Sequence, residues 1–573
     1  MMFLQLQNDQ PFSRGYDEPI SDREQLRRSS IMGGSASGWA AFYGVLICAL
    51  CSLIITPMTT AAASNFSHEI VKSLAADLAK KPYQDRTFKI EGAEEPLTYD
   101  QYRDIQFDPG KAIWKDARSA FQLQLFAPGG LYNMPVDLHV IEQGKARKLA
   151  FQVDNFIYGP FIRKTRQNVM QTLSLHRAAN DDWAAADDTR NDKAGQRQKN
   201  GAAHGGLSYT GFRVHGFINS RQNRDEFAVF QGASYFRAVG RGQSYGLSAR
   251  GLAINIAEPK GEEFPYFRAF WIEKSGRLSR TITVHALLDS PSLTGAYLFH
   301  IKPGKDTVVD VEATLYPRGD VEHLGLAPLT SMFQFGHGNS RSFDDFRPAV
   351  HDSEGLLILN GSDEWLWRPL RNPKNLQISS FVDENPKGFG LIQRNRNFDN
   401  YRDLEARYDK RPSLWIEPRG NWGKGAVTLY EIPTESEIND NIVAMWKPEK
   451  KLTLGQAYSF GYRMYWGVGA LNLPPKAKVD TFMTGATLDG RKRFVIDFVG
   501  GRLGVEALPK VRANVSRGIL SDIVVQRNSV SNGWRVTYLL DPKNAESIDI
   551  RLSLTQGEKD ISEVFLYRWT KDQ

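Results

Sequence analysis

The sequence predicts an all-β protein of sandwich or barrel type with only a few short helices. From about Phe121 to the C-terminus, short runs rich in β-branched and aromatic residues recur, as in TITVHALL, AVTLYEIP and SFGYRMYW. Glycine, proline, asparagine or aspartate separates these runs at roughly even spacing, which is typical of sandwiches and barrels. Strands and helices do not alternate regularly, and this argues against a doubly wound nucleotide-binding sheet.

Two short helices are predicted before the strand-rich part. Residues 66–80, FSHEIVKSLAADLAK, carry Ile70, Leu74 and Leu78 at helical spacing, which predicts one amphipathic helix with these residues on its apolar face. A shorter second helix is predicted over Leu97 to Asp104.

The chain has 573 residues, which is too long for one ordinary domain. We predict a β-sandwich domain over 64–468, a linker over 469–478 and a small immunoglobulin-like sandwich over 479–573. Residues 177–204 are rich in alanine, aspartate, asparagine and lysine and poor in large apolar side chains, which predicts a mobile insertion.

The first 63 residues predict an export signal. A polar stretch ends in Arg27 and Arg28, and an uncharged run over 38–56 is followed by small residues up to Ala63, where we expect cleavage. The paired arginines resemble a twin-arginine signal loosely. An uncleaved membrane anchor is the alternative, because the apolar run is long enough to cross a bilayer. After cleavage, no membrane span is expected.

Composition excludes several kinds of site. Cys48 and Cys51 both lie in the export segment, so the exported chain would have no disulfide, thiol nucleophile or thiolate metal ligand. The histidines are scattered and the H-E-x-x-H spacing is absent, so we predict no metal and no cofactor. The net charge is +7, but the lysines and arginines form no basic block, and we predict no nucleic-acid partner.

One motif matches the serine-hydrolase pattern but lacks the secondary structure that the pattern needs around it. GQSYG, residues 242–246, fits the G-x-S-x-G turn of serine hydrolases, which needs a strand before it and a helix after it. The following LSARGLAINIA does not predict a helix. A tight turn between strands is therefore the favoured interpretation.

Acidic turns between strands are the first candidates for chemistry. The stretch EIPTESEINDNIVAMW places four carboxylates between two strand-like runs: Glu431, Glu435, Glu437 and Asp440. HDSEG, residues 351–355, places Asp352 in a second polar turn. A glycosidase needs one protonated and one ionised carboxyl group, and a turn between buried strands can offer both environments. The alternative, that any one of these aspartates is a surface residue, stays open.

Aromatic and arginine side chains are unusually dense near these turns. Aromatic rings can stack on the apolar faces of sugars and arginine can bind hydroxyl groups, so the set favours a glycan-binding cleft. For any single tryptophan, a place in the core is the alternative. The residues that we assign to substrate binding are Tyr245, Arg250, Trp365, Trp367, Arg368, Arg394, Tyr401, Tyr408, Arg411 and Trp415.

Long stretches of the chain resemble one family. FAVFQGASYFRAVGRGQSYGLSARGLAI, EEFPYFRAFWIE, ALLDSPSLTGAY, EWLWRPLRNP and WGKGAVTLYEIPT, in this order, resemble the periplasmic glucan biosynthesis proteins of the G and D type. The resemblance runs from about Phe66 to the end of the chain. It implies a periplasmic location, a large N-terminal β-sandwich of the galactose-mutarotase type and a C-terminal immunoglobulin-like sandwich.

The same resemblance implies a function. The substrate would be a β-1,2-linked glucan, and the activity would be that of an inverting endo-β-1,2-glucanase or a transglycosylase. The alternative is a non-catalytic glucan-binding protein, with the inner-membrane glucan glucosyltransferase as a candidate partner.

Site residues follow from the family's motifs. The pattern P-T-x-x-E-x-x-D-N-I falls on residues 433–442, which implies Asp440 as general acid and Glu437 as its companion. The family's H-D-S implies Asp352 as general base, with the two aspartate roles interchangeable. Residues 401–410, YRDLEARYDK, are expected to close over the glucan. The other carboxylates of the acidic stretch are expected to be spectators: Glu431 and Glu435.

Overall fold

The structure is a computed structural model that describes residues 65–87, 97–160, 208–338, 343–501 and 508–571. The predicted export segment and the predicted insertion at 177–204 lie outside the described residues.

Both predicted helices are present. Helix α1 spans His68–Ala79 and helix α2 spans Tyr99–Arg103. Helix α2 begins with a capping box, in which Thr98 and Gln101 each accept a hydrogen bond from the other's backbone N–H. None of the helices among the described residues is long and apolar enough to cross a membrane.

The face of α1 that packs on the protein differs from the prediction. Val71 and Ala75 are fully buried, whereas Ile70 and Leu74 are 36% and 41% exposed. Small side chains on the packed face allow a close approach, and Thr294 Oγ1 donates to the carbonyl oxygen of Ala75 at 2.7 Å. The placement of Ile70 and Leu74 on the apolar contact face is therefore wrong.

Strands make up most of the described structure, which confirms the all-β sandwich prediction. In chain order they are β1 (Ile105–Phe107), β2 (Gln122–Leu125), β3 (Asp137–Glu142), β4 (Lys145–Lys148), β5 (Phe156–Tyr158), β6 (Gly211–Gly216), β7 (Asp225–Gln231), β8 (Tyr235–Ala238), β9 (Ser248–Arg250), β10 (Ala253–Ile254), β11 (Tyr266–Glu273), β12 (Ile282–Asp289), β13 (Leu293–Lys302), β14 (Thr307–Pro317), β15 (Leu324–Ser331), β16 (Phe333–Phe335), β17 (Val350–His351), β18 (Gly355–Leu359), β19 (Trp365–Pro369), β20 (Gln377–Glu384), β21 (Gly388–Ile392), β22 (Ser413–Arg419), β23 (Lys424–Glu431), β24 (Ile442–Pro448), β25 (Tyr458–Gly467), β26 (Lys478–Ala486), β27 (Lys492–Val499), β28 (Lys510–Val515), β29 (Ile519–Asn528), β30 (Gly533–Asp541), β31 (Ser547–Gln556), β32 (Lys559–Asp560) and β33 (Val564–Thr570). Short 3-10 helices span Pro109–Lys111, Val153–Asn155, Phe398–Asn400, Tyr408–Lys410 and Gly469–Asn472.

Two large sheets enclose the first hydrophobic core. One runs in the order β2-β6-β7-β8-β9-β15-β24-β23-β20, and the other runs from β28 through β31, β33, β19, β18, β21, β22, β25, β14, β13, β12, β11 and β3 to β4. Buried phenylalanines from both sheets meet edge to face in this core, for example Phe230 and Phe270, whose ring centroids are 5.5 Å apart.

A second core forms near the C-terminus. A four-stranded sheet in the order β26-β27-β30-β29 packs with β31 and β33 around Phe494, Tyr538 and Phe565. Strand β33 pairs in parallel with β19, so the larger sheet continues across the predicted linker at 469–478. That linker holds a 3-10 helix and the first residue of β26.

Candidate functional site

The acidic stretch forms a loop that joins two buried neighbouring strands. Strands β23 and β24 pair up to Glu431 and Ile442, and residues 432–441, here called the acid loop, connect them. Asn441 holds one end of the acid loop in place, because its Nδ2 donates to the carbonyl oxygens of Ile432 and Phe333, both at 3.0 Å. The loop is therefore anchored to strand β16 as well as to its own base.

A second asparagine holds the middle of the acid loop. The Nδ2 of Asn372 donates to the carbonyl oxygen of Thr434 at 2.7 Å, and its Oδ1 accepts from Thr434 N at 3.0 Å. The same Nδ2 contacts the carbonyl oxygen of Gln334 at 3.2 Å. Backbone groups of the loop, which have no strand partner, are thus satisfied by side chains.

Asp440 is the titratable group that stands out in this loop. Its Oδ2 is buried and has no hydrogen-bond partner among the described residues. The pKa of Asp440 is raised to about 6. Burial is the main cause and nearby Asp352 acts in the same direction, against the opposing effects of Arg237, Arg250 and Arg411. A carboxyl group of this kind can carry a proton close to neutral pH and give it to a bound molecule.

Asp352 lies in a different environment. It is 3% exposed, and its N–H donates to the carbonyl oxygen of Met332 at 2.9 Å. Its Oδ1 accepts a hydrogen bond from Nη1 of Arg411 in a buried ion pair. The Arg411 guanidinium stacks 4.2 Å from the centroid of the Tyr408 ring, and its Nε donates to the carbonyl oxygen of Ala406 at 3.0 Å.

Glu437 joins the acid loop to the segment that carries Tyr408. Its Oε2 accepts from the Tyr408 hydroxyl at 2.6 Å and from Nη1 of Arg347 at 2.7 Å. Arg347 also pairs with Asp345 and Asp403, and these carboxylates hold its pKa above the usual value. Burial raises the pKa of Tyr408 well above its ordinary value, so the hydroxyl stays a donor to Glu437.

The segment 398–411 packs against the site through its tyrosines. Tyr401 and Tyr408 are buried beside Met332 and Val350 in a small cluster of their own. His351 contacts Tyr401 edge-on at 5.3 Å, and burial lowers the pKa of His351 to about 3, so the imidazole is neutral. This packing sets the orientation of Tyr408 and Arg411 toward Asp352.

Arginines on the first sheet complete the charge cluster. Arg250 on β9 lies over the ring of Tyr235 on the adjacent β8, 4.7 Å from its centroid, and its Nε donates to Thr330 Oγ1 at 2.9 Å. Its Nη1 pairs with Glu262. Arg237 is on β8 two residues from Tyr235, so the two side chains share a face of the sheet.

Comparison with known proteins identifies relatives of this chain. A family model described as periplasmic glucan biosynthesis protein, MdoG, matches residues 66–185 and 171–569. A glucans biosynthesis protein G of Shewanella sp. (strain ANA-3) is 44% identical over 515 residues, which cover 88% of this chain and 87% of the relative. A glucans biosynthesis protein G of Bradyrhizobium diazoefficiens is 44% identical over 512 residues, covering 89% and 94%. The chain belongs to the periplasmic glucan biosynthesis protein family.

In this family member, the predicted site residues fall into two groups. The structure brings one group together around the acid loop: Asp440, Asp352, Glu437, Arg250, Tyr401, Tyr408 and Arg411. Tyr245 lies in the connection between β8 and β9, close enough to Glu226 for that carboxylate to act on its pKa, which burial raises well above the ordinary value.

The second group lies in the interior, against the second core. Trp365 and Trp415 are buried and stack on each other at 5.7 Å, and Trp367 is buried beneath Arg394, whose guanidinium is 3.6 Å from the ring centroid. Rings packed in this way present no face to a sugar. Arg368 is also buried and pairs with Glu431 at 2.9 Å. The structure does not bring these five predicted binding residues to Asp440.

Glu431, which is expected to be a spectator of the chemistry, is a buried residue at the base of the acid loop. It is fully buried, and its Oε1 accepts from the N–H of Arg371 at 2.8 Å. Glu435, by contrast, is exposed.

Sequence reasoning missed the three cationic or aromatic groups that complete the site: Arg237, Arg347 and Tyr235. An arginine inside the strand-like run YFRA is the signal that could have identified Arg237, because charged residues rarely occupy buried strands without a partner.

Proposed function

We propose that this member of the periplasmic glucan biosynthesis family acts in the periplasm on β-1,2-linked glucan, as an inverting endo-β-1,2-glucanase or a transglycosylase. The observation that carries the proposal is Asp440, whose buried Oδ2 has no hydrogen-bond partner in the described part of the chain and whose pKa is raised to about 6. Curated relatives named glucans biosynthesis protein G support the glucan as substrate class.

Asp440 is proposed as the general acid. Near neutral pH a part of the Asp440 population is protonated, and its proton passes to the glycosidic oxygen as the C1–O bond breaks. In the hydrolytic reaction a water molecule attacks C1 from the opposite face, which inverts the anomeric configuration, and its proton passes to the base.

Asp352 is proposed as the base that receives this proton. Because Arg411 occupies its Oδ1 and the residue is almost fully buried, the proton would reach it through bound water rather than by direct contact. Tyr408 and Glu437, which link the acid loop to the 398–411 segment, are proposed to orient the glucan and that water. Residues 401–410 are proposed to close over the glucan.

The test is incubation of residues 64–573 with linear β-1,2-glucan, with products followed by size and by anomeric NMR. Wild type should produce shorter chains of inverted configuration. Asp440→Asn and Asp352→Asn should each lower the rate at least a hundredfold, in line with the usual contribution of a general acid or base. Glu435→Gln, an exposed carboxylate of the same loop, is the matched control and should retain the wild-type rate. Cyclic products would assign the chain to the transglycosylases.

A second candidate is a non-catalytic glucan-binding protein that works beside the inner-membrane glucan glucosyltransferase. The buried ion pair between Asp352 and Arg411 favours it, since a proposed base that is paired and shielded is poorly placed to activate water. Binding of the glucan without any new reducing ends, unchanged in Asp440→Asn, would establish this function instead.

A further inference from the structure

A basic cavity lies at the outer edge of the second large sheet, away from the acid loop. It has a volume of about 560 Å³ and is lined by Arg118, Lys145, Arg147 and Lys274, with Glu142 as its one acidic lining residue. Strand β4, which ends this sheet, contributes two of the cations. The cations come from three separate parts of the chain, so their grouping is a product of the fold.

The carboxylate in the cavity is already engaged. Glu142 Oε1 accepts from Nε1 of Trp114 at 2.8 Å and lies 3.4 Å from Nζ of Lys274. The hydrogen bond from Trp114 and the charge of Lys274 lower the pKa of Glu142. Within the described residues, Arg118, Lys145 and Arg147 have no ion-pair partner, so the cavity presents a net positive charge to solvent.

An exposed leucine stands next to this cavity. The loop between β11 and β12 begins with the cavity residue Lys274 and carries Leu278 between Arg277 and Arg280. Leu278 is 92% exposed. Ser275 and Ser279 each donate a hydrogen bond to the carbonyl oxygen of Thr281, which fixes the shape of the loop that presents the leucine: Ser275 at 3.0 Å and Ser279 at 2.8 Å.

The described part of the chain begins beside the same cations. Phe66 N donates to the carbonyl oxygen of Gly144, in the turn between β3 and β4, at 2.7 Å. In the sequence only nine residues, 57–65, separate Phe66 from the uncharged run 38–56.

We propose that this surface, here called the basic face (Arg118, Lys145, Arg147, Lys274, Arg277, Leu278 and Arg280), docks the protein on an anionic phospholipid surface. Each lysine or arginine near such a surface strengthens binding about fivefold, and an apolar side chain between cations can enter the interfacial region. Lysines on an edge strand also protect against strand-to-strand aggregation. That role does not explain the exposed leucine or the cations contributed by the two other segments.

The proposal is independent of the glucan chemistry and is tested with vesicles. Residues 64–573, which contain every described core, are sedimented with vesicles of phosphatidylcholine alone or with 30% phosphatidylglycerol. Wild type should bind only the anionic vesicles, and the binding should weaken as salt rises. Combined Arg118→Gln, Lys145→Gln and Arg147→Gln should weaken it on the order of a hundredfold.

A charge-matched control separates the basic face from net charge. The triple variant Lys260→Gln, Lys424→Gln and Lys450→Gln removes three exposed lysines elsewhere and should bind like wild type. Equal loss in both triple variants would overturn the proposal and leave non-specific attraction. Equal binding to neutral and anionic vesicles would overturn it as well, as would competition by millimolar inorganic phosphate, which would make the cavity a site for small anions.

The leucine can be tested by a single label, because residues 64–573 contain no cysteine. A fluorophore on Leu278→Cys should shift to the blue with anionic vesicles. The same label on Leu488→Cys, an exposed leucine in the hairpin turn between β26 and β27, should not shift. A shift at position 488 with none at 278 would place the contact on another face and refute the proposal.

Discussion

Asp440 and Asp352 belong to one cluster of charges, yet the same aspartate-to-asparagine change should alter stability in opposite directions. Asp440 has a pKa raised from 3.8 to about 6, so the folded state binds its proton more tightly than the unfolded state does. The folded state therefore loses stability as pH rises through this window. At pH 7, Asp440→Asn should increase the free energy of unfolding by about 3 kcal/mol.

The pH dependence distinguishes this effect from a simple gain in packing. The advantage of Asp440→Asn should be nearly complete at pH 7, should shrink as pH falls from about 6 to about 4, and should disappear only below about pH 3, where the wild-type carboxyl is protonated in both states. Urea unfolding between pH 4 and 8 measures it. An advantage that is constant across this range would contradict the assigned cause.

Asp352→Asn is the matched comparison, since it removes the anion that pairs with the buried Arg411. A buried guanidinium without its carboxylate costs about 3–5 kcal/mol. The variant should therefore be less stable than wild type by that amount at pH 7. The Arg411→Met variant of the Asp352→Asn protein should recover part of the loss, and a failure to recover would show that the ion pair is not the cause.

At the scale of the elements, two asparagines hold the acid loop: Asn441 at its end and Asn372, which lies outside it. Asn372→Ala removes three hydrogen bonds to residues 434 and 334. At about 1 kcal/mol for each, the loss in stability should be about 1–3 kcal/mol. Hydrogen exchange at the amides of 433–440 should become faster than this global loss predicts, since the loop is released locally.

A control for that prediction exists in another turn. Asn360 bonds the side chain and the backbone N–H of Glu364 between β18 and β19, at 3.1 Å and 2.7 Å. Asn360→Ala should accelerate exchange near its own turn and leave 433–440 unchanged. If Asn372→Ala leaves the acid loop as protected as in wild type, the loop is held by its strands alone.

The sequence predicts element types well because periodicity is a local property. Both helices and the recurrent strands follow from it, as does the acidic turn between two strands. Which face of α1 is buried does not follow, because Val71 and Ala75 are chosen by the shape of the sheet beneath them rather than by their hydrophobicity. Smaller apolar residues are buried in place of Ile70 and Leu74 when they let the helix approach the sheet closely and make more contacts.

The roles of single residues are harder to predict, because they too depend on tertiary packing rather than on local sequence. Trp367 and Trp415 have the residue type that sugars prefer, yet the second core covers both. Glu431 and Glu435 are equivalent carboxylates in the sequence, but Glu431 is buried and paired with Arg368, whereas Glu435 is exposed. Motif resemblance singled out Asp440 and Asp352, but the arginines around them, Arg237, Arg250 and Arg411, come from other segments of the chain.

At the scale of the whole molecule, two cores share one sheet. Strand β33 pairs with β19 through Leu366 with Val564 and Trp367 with Phe565, and an ion pair reinforces the junction. Arg394 donates to both oxygens of Glu563, next to β33, at 2.6 and 2.8 Å. Tryptophans of the larger sheet also fill the second core, so each core completes the burial of the other.

The ion pair at this junction leads to a prediction about cooperativity. Arg394 and Glu563 are buried, and both also bond the backbone of Val479, Arg394 to its carbonyl oxygen at 2.7 Å and Glu563 to its N–H at 2.7 Å. Arg394→Met and Glu563→Gln should each cost about 3–5 kcal/mol, because each leaves a buried charge unpaired. The double variant should cost clearly less than the sum of the two, by at least about 1 kcal/mol.

Calorimetry and urea unfolding of wild type, the two single variants and the double variant measure the coupling free energy between Arg394 and Glu563. They also give the number of unfolding transitions. Wild type should unfold in one transition, because the continuous sheet joins both cores. In Glu563→Gln the second core should unfold first, because that core depends on the junction around Val479. The ion pair between Asp541 and Lys543, which is open to solvent, is the matched control. Because solvent screens this pair, its coupling free energy should be too small to measure. Additive losses in the double variant, or two transitions already in wild type, would mean that the cores are held together by packing at β19 and β33 without a contribution from the ion pair.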